Sequence, residues 1–502
     1  MSEISFRPII GLEIHVQLAT RTKLFCGCAV EFAAGPNSRV CPVCLGLPGS
    51  LPVLNRKAFE HAIVAGLALR CRIAPFSKWD RKSYYYPDLP KNYQISQYDL
   101  PLSAGGRFDI PLADGTTRSI RIIRAHLEED AGKNLHEGLD HTRVDLNRAG
   151  TPLLEIVTEP DLADADEAYT FCTELQRLVR YLGISEADMQ KGQMRFEPNV
   201  NVAITHQGRE YRTPISEVKN LNSFRAVREA IRYEVDRQVK AWQADHDYTL
   251  ENKGKMNFGW NADRGVTEFQ RGKEESHDYR YFPDPDLVPV TTDAALLESL
   301  AQRVGELPLE RQRRFMTDYQ MSEKECEIVL ADRRTSALFE EAAAGSADAE
   351  TLTKHFMGAW SHVASAAGTT IGGLDVSAKS VADLVKLVAD GVVSASAASQ
   401  IAERLYQKRH EGPRSPMDIA RELGLIQERD ASALAAWVDE AFAKNSQAVQ
   451  DAIGSNPRKA KAAPGFLRGQ VMQISQGKAD PKLTGKMIEE KLAQVKSQQD
   501  VS

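Results

Sequence analysis

Two close thiol pairs, Cys26-Gly-Cys28 and Cys41-Pro-Val-Cys44, stand twelve residues apart and constrain this chain more than any other feature. A loop of that length lets four thiolates wrap one tetrahedral cation. Zinc suits them, because it takes four sulfurs at about 2.3 Å and has no redox chemistry of its own. Pro42 and Gly46 give the second pair the turn of a zinc knuckle. Disulfides are the competing use. Against them stand an odd count of seven cysteines and an N-terminus, Met1-Ser-Glu-Ile-Ser-Phe-Arg-Pro, without the basic and apolar regions of a secretory signal. The expectation is a cytoplasmic protein with a structural zinc site at Cys26, Cys28, Cys41 and Cys44.

Polar residues of one kind recur beside this loop at strand spacing. In Gly11-Leu12-Glu13-Ile14-His15 the alternation sends Glu13 and His15 to one face of a strand. In His126-Leu127-Glu128-Glu129-Asp130 the same rule puts Glu128 and Asp130 on the face of His126 and turns Glu129 away. Carboxylates with an imidazole on neighbouring strands form a hard-oxygen site for Mg²⁺, which needs only one or two carboxylates when phosphate oxygens complete its shell. A third stretch, Ser216-Glu217-Val218-Lys219-Asn220-Leu221-Asn222-Ser223, alternates and then opens a helix with Asn222 or Ser223 as N-cap, an anion-binding geometry. The aromatic- and proline-rich runs Lys82–Gln94 and His277–Asp286 can line a polar passage or cover a sheet.

At 502 residues the chain exceeds one core. Its pattern changes near residue 295. Before that point short alternating segments such as Arg118–Ile123, Leu153–Val157 and Asn199–Ile204 read as antiparallel strands, with two helical stretches at Asp166–Leu182 and Ser223–Trp242. After it the signals are helical: Ser380–Asp390 before Gly391, Ser394–Lys408, Ser415-Pro416 to Gly424, Asp430–Lys444 and Gln447–Ile453. Gly454–Pro464 reads as a hinge before the last basic helices. The fold class expected is α+β: an antiparallel-sheet cradle over 1–295, a helical domain over 296–408 and a helical tail domain over 409–502. Net charge is −6, yet residues 451–502 carry nine Lys or Arg against five Asp or Glu, so an acidic body bears a basic tail suited to a phosphate backbone.

Phosphate-loop, dinucleotide and serine-elbow signatures are absent from the chain. What it does carry closely resembles the B subunits of the tRNA-dependent amidotransferases, the glutamyl/aspartyl-tRNA amidotransferase family. The matching pieces run in order from residue 10 to about 482: IGLEIHVQL, CPVCLGLPGSLPVLN, YYYPDLPKNYQISQYD, HLEEDAGK, VDLNRAGTPLLEIVTEPD, EVKNLNSFR, HDYRYFPDPDL and GFLRGQVMQISQGKADPK.

That resemblance implies a reaction. ATP phosphorylates the side-chain carboxylate of Glu-tRNA(Gln) or Asp-tRNA(Asn), and ammonia displaces the phosphate. It implies a cradle related to the glutamine synthetase catalytic sheet, with Glu13, His15 and Glu128 holding Mg²⁺. Glu155, Glu217 and Lys219 become further catalytic candidates, and Lys82, Lys91 and Glu128 border an ammonia passage. An amidase-type A subunit would supply ammonia and a small C subunit would clasp the two. Arg468, Lys478 and Lys482 would contact tRNA. Two departures bear on this: Arg195-Phe-Glu-Pro-Asn-Val-Asn-Val-Ala203 lacks the serine and final arginine of the family pattern, and Met256-Asn-Phe-Gly-Trp260 lacks its Glu-Thr-Arg. A tRNA-binding scaffold with a decayed centre is therefore the rival reading. A free-standing ammonia ligase, acting without tRNA, is the third.

Overall fold

A computed structural model describes residues 4–499 except 137–139, 272–278, 346–347, 413, 455 and 476. His277 and Asp278 of the second aromatic run therefore lie outside the described residues. The chain divides into two compact units, Met1–Arg311 and Gln312–Ser502.

The first unit carries the strands β1 (Ser5–Gln17), β2 (Arg72–Ile73), β3 (Phe76–Ser77), β4 (Asp80–Ser83), β5 (Tyr93–Ser96) and β6 (Ser103–Pro111). Then follow β7 (Thr117–Glu129), β8 (Lys133–Leu135), β9 (Arg143–Asp145), β10 (Pro152–Thr158), β11 (Met194–His206) and β12 (Arg209–Arg212). The last are β13 (Ile215–Lys219), β14 (Lys255–Asn261), β15 (Val266–Arg271), β16 (Phe282–Pro283) and β17 (Val290–Thr291). Ten of them form one sheet in the order β15-β14-β13-β11-β1-β10-β7-β6-β2, with β12 paired to β11. Its pairings are antiparallel apart from the parallel β13–β14 ladder. Smaller sheets, β16-β4-β5 among them, carry the aromatic run.

The sheet is two-sided because its strands alternate. Ile10, Leu12, Ile14 and Val16 of β1, Leu127 of β7 and Leu154 and Ile156 of β10 share one wholly buried face. Helices α1 (Pro42–Leu45), α2 (Arg56–Ala68), α3 (Ala165–Tyr181) and α4 (Phe224–Ala244) precede and interleave these strands. In α3, Ala168, Phe171, Cys172, Leu175, Leu178 and Val179 recur at helical spacing and enter the same core. Asp164 starts this helix by accepting from the backbone amides of Asp166 and Glu167 at 2.8 Å, and Gly183, at φ 65°, follows its end. Ser223 caps α4 by accepting from the Ala226 amide at 3.0 Å. Leu175→Ala would cost about 2–5 kcal/mol in this core. The helix Ala294–Val304 also belongs here, burying Leu300 and Val304 against it.

The second unit is helical. One apolar cluster runs from Phe315 to Ala420 and another from Leu434 to Leu492. Ser394, Ser415 and Asp430 cap helices where the sequence places them, and Gly391 and Gly424 adopt positive φ. One expectation fails. From Pro457 onward, the larger part of Gly454–Pro464 is not a hinge but the first turns of helix Pro457–Ile474, which follows the end of helix Ser446–Ile453. Asn456 caps that helix by accepting from the Arg458 and Lys459 amides, and Pro457 at the first position fits a φ already helical. Pro464 sits inside, where the buried contacts of Ala463 and Leu467 outweigh one lost backbone bond.

Candidate active site and thiol cluster

Antiparallel register carries the polar face of the sheet from strand to strand. His15 lies opposite Glu155 on one side and Arg195 on the other, Glu13 lies opposite Glu197, and Glu155 lies opposite His126. Leu153 pairs with Glu128, Asn199 with Glu217, and Glu217 with Asn257. Residues far apart in sequence therefore meet on one surface. They line a cavity of about 800 Å³ that includes Glu13, His15, Lys82, Glu128, Glu155, Glu217 and Lys219.

At its centre the His15 Nε2 is 3.4 Å from Glu128, 3.6 Å from Glu155 and 3.8 Å from Glu13. His126 Nε2 lies 3.9 Å from Glu155 and Arg124 3.6 Å from it. Two donor sets have ligand atoms within 4.8 Å of one another, Glu13–His15–Glu155 and His126–Glu128–Glu155. Glu155 is the shared member. Burial and then the Glu155 charge push Glu128 up to about 7, against His15 and Lys82. Burial and Glu155 also raise Glu13. Burial would lower His15, yet its hydrogen bond to Glu155 and the Glu128 charge carry it up to about 9. His126 is driven down to about 4, chiefly by burial. Glu155 stays below the usual carboxylate range despite burial, because His126, His15 and Lys82 surround it. The Oε2 atom of Glu128 is buried and has no partner among the described residues. Three carboxylates with one such oxygen suit a hard cation.

Lys219 pairs with Glu197 and Glu217, both at 2.8 Å, and Lys255 also meets Glu217. Against burial, the two lysines hold Glu217 down to about 2. Lys82 points into the cavity with its ammonium 4.9 Å from the Tyr279 ring. Burial would lower it, but Glu128, Tyr281 and Glu155 raise it. Lys91 is placed elsewhere. It bonds Glu129, whose side chain the pleat sends to the opposite face from Glu128, and is not among the cavity's lining residues.

Cys26, Cys28, Cys41 and Cys44 bring their sulfurs within 4.8 Å of one another, the donor set of a structural zinc site. Cys44 is drawn down to about 4, first by the Cys26 hydrogen bond and then by the Cys41 backbone amide at 3.1 Å and by Lys23, against burial. Lys23 is wholly buried, with its ammonium 3.6 Å from the Cys44 sulfur. The other cysteines, Cys71, Cys172 and Cys326, are buried.

Residues 8–298 match the family model described as the GatB/GatE catalytic domain, and residues 337–492 match the GatB domain. A protein of Thermoanaerobacter sp. (strain X514), named as the B subunit of aspartyl/glutamyl-tRNA(Asn/Gln) amidotransferase, is 42% identical over 490 residues, covering 98% of this chain and all of the relative. This chain belongs to that B-subunit family. A relative of the same name from Rhodopirellula baltica is 44% identical over 467 residues, 92% of each chain. A third, from Picosynechococcus sp., is 42% identical over 97% of this chain and 98% of the relative.

Membership sharpens the view of residues that the sequence left unmarked. Glu197, Lys255 and Arg124 line the cavity, and Arg195 bonds Asp130 at 3.0 Å. Alternation from Arg195 through Glu197 and Asn199 was the available signal for the first; Lys255 comes in through the parallel ladder and had none. Phe196, inside the first of the two departing segments, lies on the other face, buried against Phe224 with ring centroids 5.7 Å apart. It is a core residue. Arg468, Lys478 and Lys482 are exposed in the second unit. Among the described residues no helix is long and apolar enough to cross a membrane.

Proposed function

We propose that this chain is the B subunit of a heterotrimeric amidotransferase that makes Gln-tRNA(Gln), Asn-tRNA(Asn) or both. The observation that carries the reading is the convergence of Glu13, Glu128 and Glu155 on His15 in one cavity, with a buried Glu128 oxygen that has no partner among the described residues. Here the sheet would be the cradle of a glutamine synthetase-like domain. The substrates would be ATP and a tRNA bearing Glu or Asp. Mg²⁺, when bound, would neutralise the nucleotide phosphates and align them for in-line transfer to the side-chain carboxylate. Glu13, His15 and Glu128 would hold it, with Glu155, the member common to both donor sets, within reach as a further ligand. Lys219 and Lys255, both paired with Glu217, would meet the phosphate oxygens. Lys82 and Glu128 border the last step of the ammonia path, while Lys91 acts from behind the sheet through Glu129. Zn²⁺ at the four cysteines would serve the fold alone. An A subunit would generate ammonia, a C subunit would clasp it, and Arg468, Lys478 and Lys482 would meet the tRNA backbone.

The test is conversion of Glu-tRNA(Gln) and Asp-tRNA(Asn) by the chain assembled with A and C subunits, ATP, Mg²⁺ and supplied ammonium. Ammonium bypasses glutamine hydrolysis, so product reports on the centre of this chain alone. Tight tRNA binding with no tRNA-dependent ATP cleavage would establish the scaffold reading instead. Conversion of the free amino acid without tRNA would establish the free-standing ligase.

A further inference from the structure

Among the described residues Lys23 is the only lysine that is wholly buried. An ammonium out of reach of water is costly unless an anion and hydrogen-bond acceptors meet it. Two acceptors do: the Leu146 carbonyl at 3.4 Å and the Cys44 sulfur at 3.6 Å. No carboxylate among the described residues forms an ion pair with it. Glu129, which shares the space around Gly150 with Lys23 and Cys44, is already engaged by Lys91 and by the Ile95 amide at 3.2 Å. The sulfur is left as the counter-charge. Backbone bonds pin the lysine there. Its amide donates to the Cys28 carbonyl at 3.0 Å, its carbonyl accepts from the Asn55 side chain at 3.2 Å, and the next amide, Leu24, donates to Gly150 at 2.9 Å. Cys44 is also the one buried member of the four cysteines, and its sulfur takes a second donor, the Cys41 amide at 3.1 Å. Four thiolates on a divalent ion leave a surplus of negative charge. Water can screen it at the half-buried Cys26, Cys28 and Cys41, but not at Cys44.

We propose that Lys23 is a working part of the metal site, its buried ammonium donating to the Cys44 sulfur and offsetting negative charge on the side that water does not reach. The inference rests on the zinc assignment and is independent of the reaction. It makes Lys23 a positioning residue: it touches a ligand atom and not the ion. A disulfide at Cys44 would strip the ammonium of its anion, so the same lysine favours the metal-bound form over the oxidised one. Through the Leu146 carbonyl it also ties the cluster to the loop that carries Arg148 to the rim of the carboxylate cavity.

The test is competition for zinc between the full chain and a chromophoric chelator. Lys23→Met keeps the apolar stem and removes the charge. It is expected to weaken zinc binding about 10- to 100-fold, the usual cost of losing a partner of a metal ligand. Lys23→Gln, which can still donate, should fall between the two. Co²⁺ in place of zinc shows whether the site still assembles: its thiolate-to-metal absorption should keep the intensity of four sulfurs in each variant. The same substitution in two further backgrounds separates the sulfur contact from general support of the fold. In Cys28→Ser, Lys23→Met should again cost about 10- to 100-fold, and in Cys44→Ser it should cost little. Wild-type affinity in Lys23→Met would overturn the proposal, as would an equal loss in both serine backgrounds. Should Lys23→Met fail to fold, Lys23→Gln decides, and unchanged affinity there overturns the proposal. Failure of the zinc assignment is separable: elemental analysis of the wild type purified without chelator would then find no zinc, and both would fall together.

Discussion

Glu128→Gln should make the metal-free protein more stable while abolishing its activity. Glu128 is 2% exposed, and its carboxyl is pushed from 4.5 up to about 7, first by burial and then by Glu155. The sign follows from linkage. A carboxyl raised on folding binds more protons in the folded than in the unfolded state between pH 4.5 and 7, so stability falls as pH climbs through that window and stays low above it. A shift of about 2.5 units at about 1.36 kcal/mol each gives about 3 kcal/mol of destabilisation at about pH 8. Glutamine has nearly the same shape and no charge, so the variant escapes this penalty. At pH 4.5 and below both proteins present a neutral group there and should be alike. Native-state hydrogen exchange of the β7 and β10 amides in chelator reads the local opening free energy directly. The expected result is exchange slower by about two powers of ten in the variant at about pH 8, with the difference gone at acid pH. Slower opening should accompany loss of tRNA-dependent ATP cleavage once Mg²⁺ is restored. A variant less stable than wild type at alkaline pH would refute the reasoning, because Glu128 would then be held by partners and not strained for a cation. Undiminished amidation would remove it from the metal site.

Cys41→Ser should lower the zinc content of protein purified without chelator and reduce its melting temperature; wild-type protein free of zinc by elemental analysis would remove that site. His61 is buried in α2 and held down to about 4, by burial and then by Lys57 and Arg303. Its stabilising effect is therefore complete above pH 6.5 and lost as pH falls toward 4, so His61→Gln should flatten the stability slope in that interval, as followed by denaturant midpoints. Alanine at Arg468, Lys478 or Lys482 should each weaken tRNA binding and lower the slope of log affinity against log salt by about one, measured by filter binding at several salt concentrations; an unchanged slope would remove that residue from the interface.

The local half of the site was legible because it obeys a period of two. Glu13 with His15, His126 with Glu128, and Glu217 with Lys219 each share a face simply by alternation, and the structure keeps all six in one cavity. Caps were legible too: Ser223, Ser415 and Asp430 start the helices that their short polar side chains favour. What alternation cannot give is which strand lies beside which. The placement of β10 between β1 and β7 makes Glu155 the member common to both donor sets, and that follows only from long-range pairing. The Lys91 position was opaque for the same reason, since its partner Glu129 belongs to the face that the pleat turns away. Pro464 misled because proline marks a break locally, while the packing that holds Pro457–Ile474 together is tertiary.

Gly46 ends the short helix of the second thiol pair in the left-handed conformation at φ 67°, and a Cβ there would stand 2.5 Å from the Lys91 side chain. The cysteine loop is thus seated directly on the lysine that grips Glu129, the neighbour of Glu128. A change in the cysteine loop is therefore felt at Lys91 and, through Glu129, at the end of β7. A descendant that discards the cysteines must find another wedge for Lys91, and a graft of this loop onto a different cradle would have to bring Lys91 and the end of β7 with it.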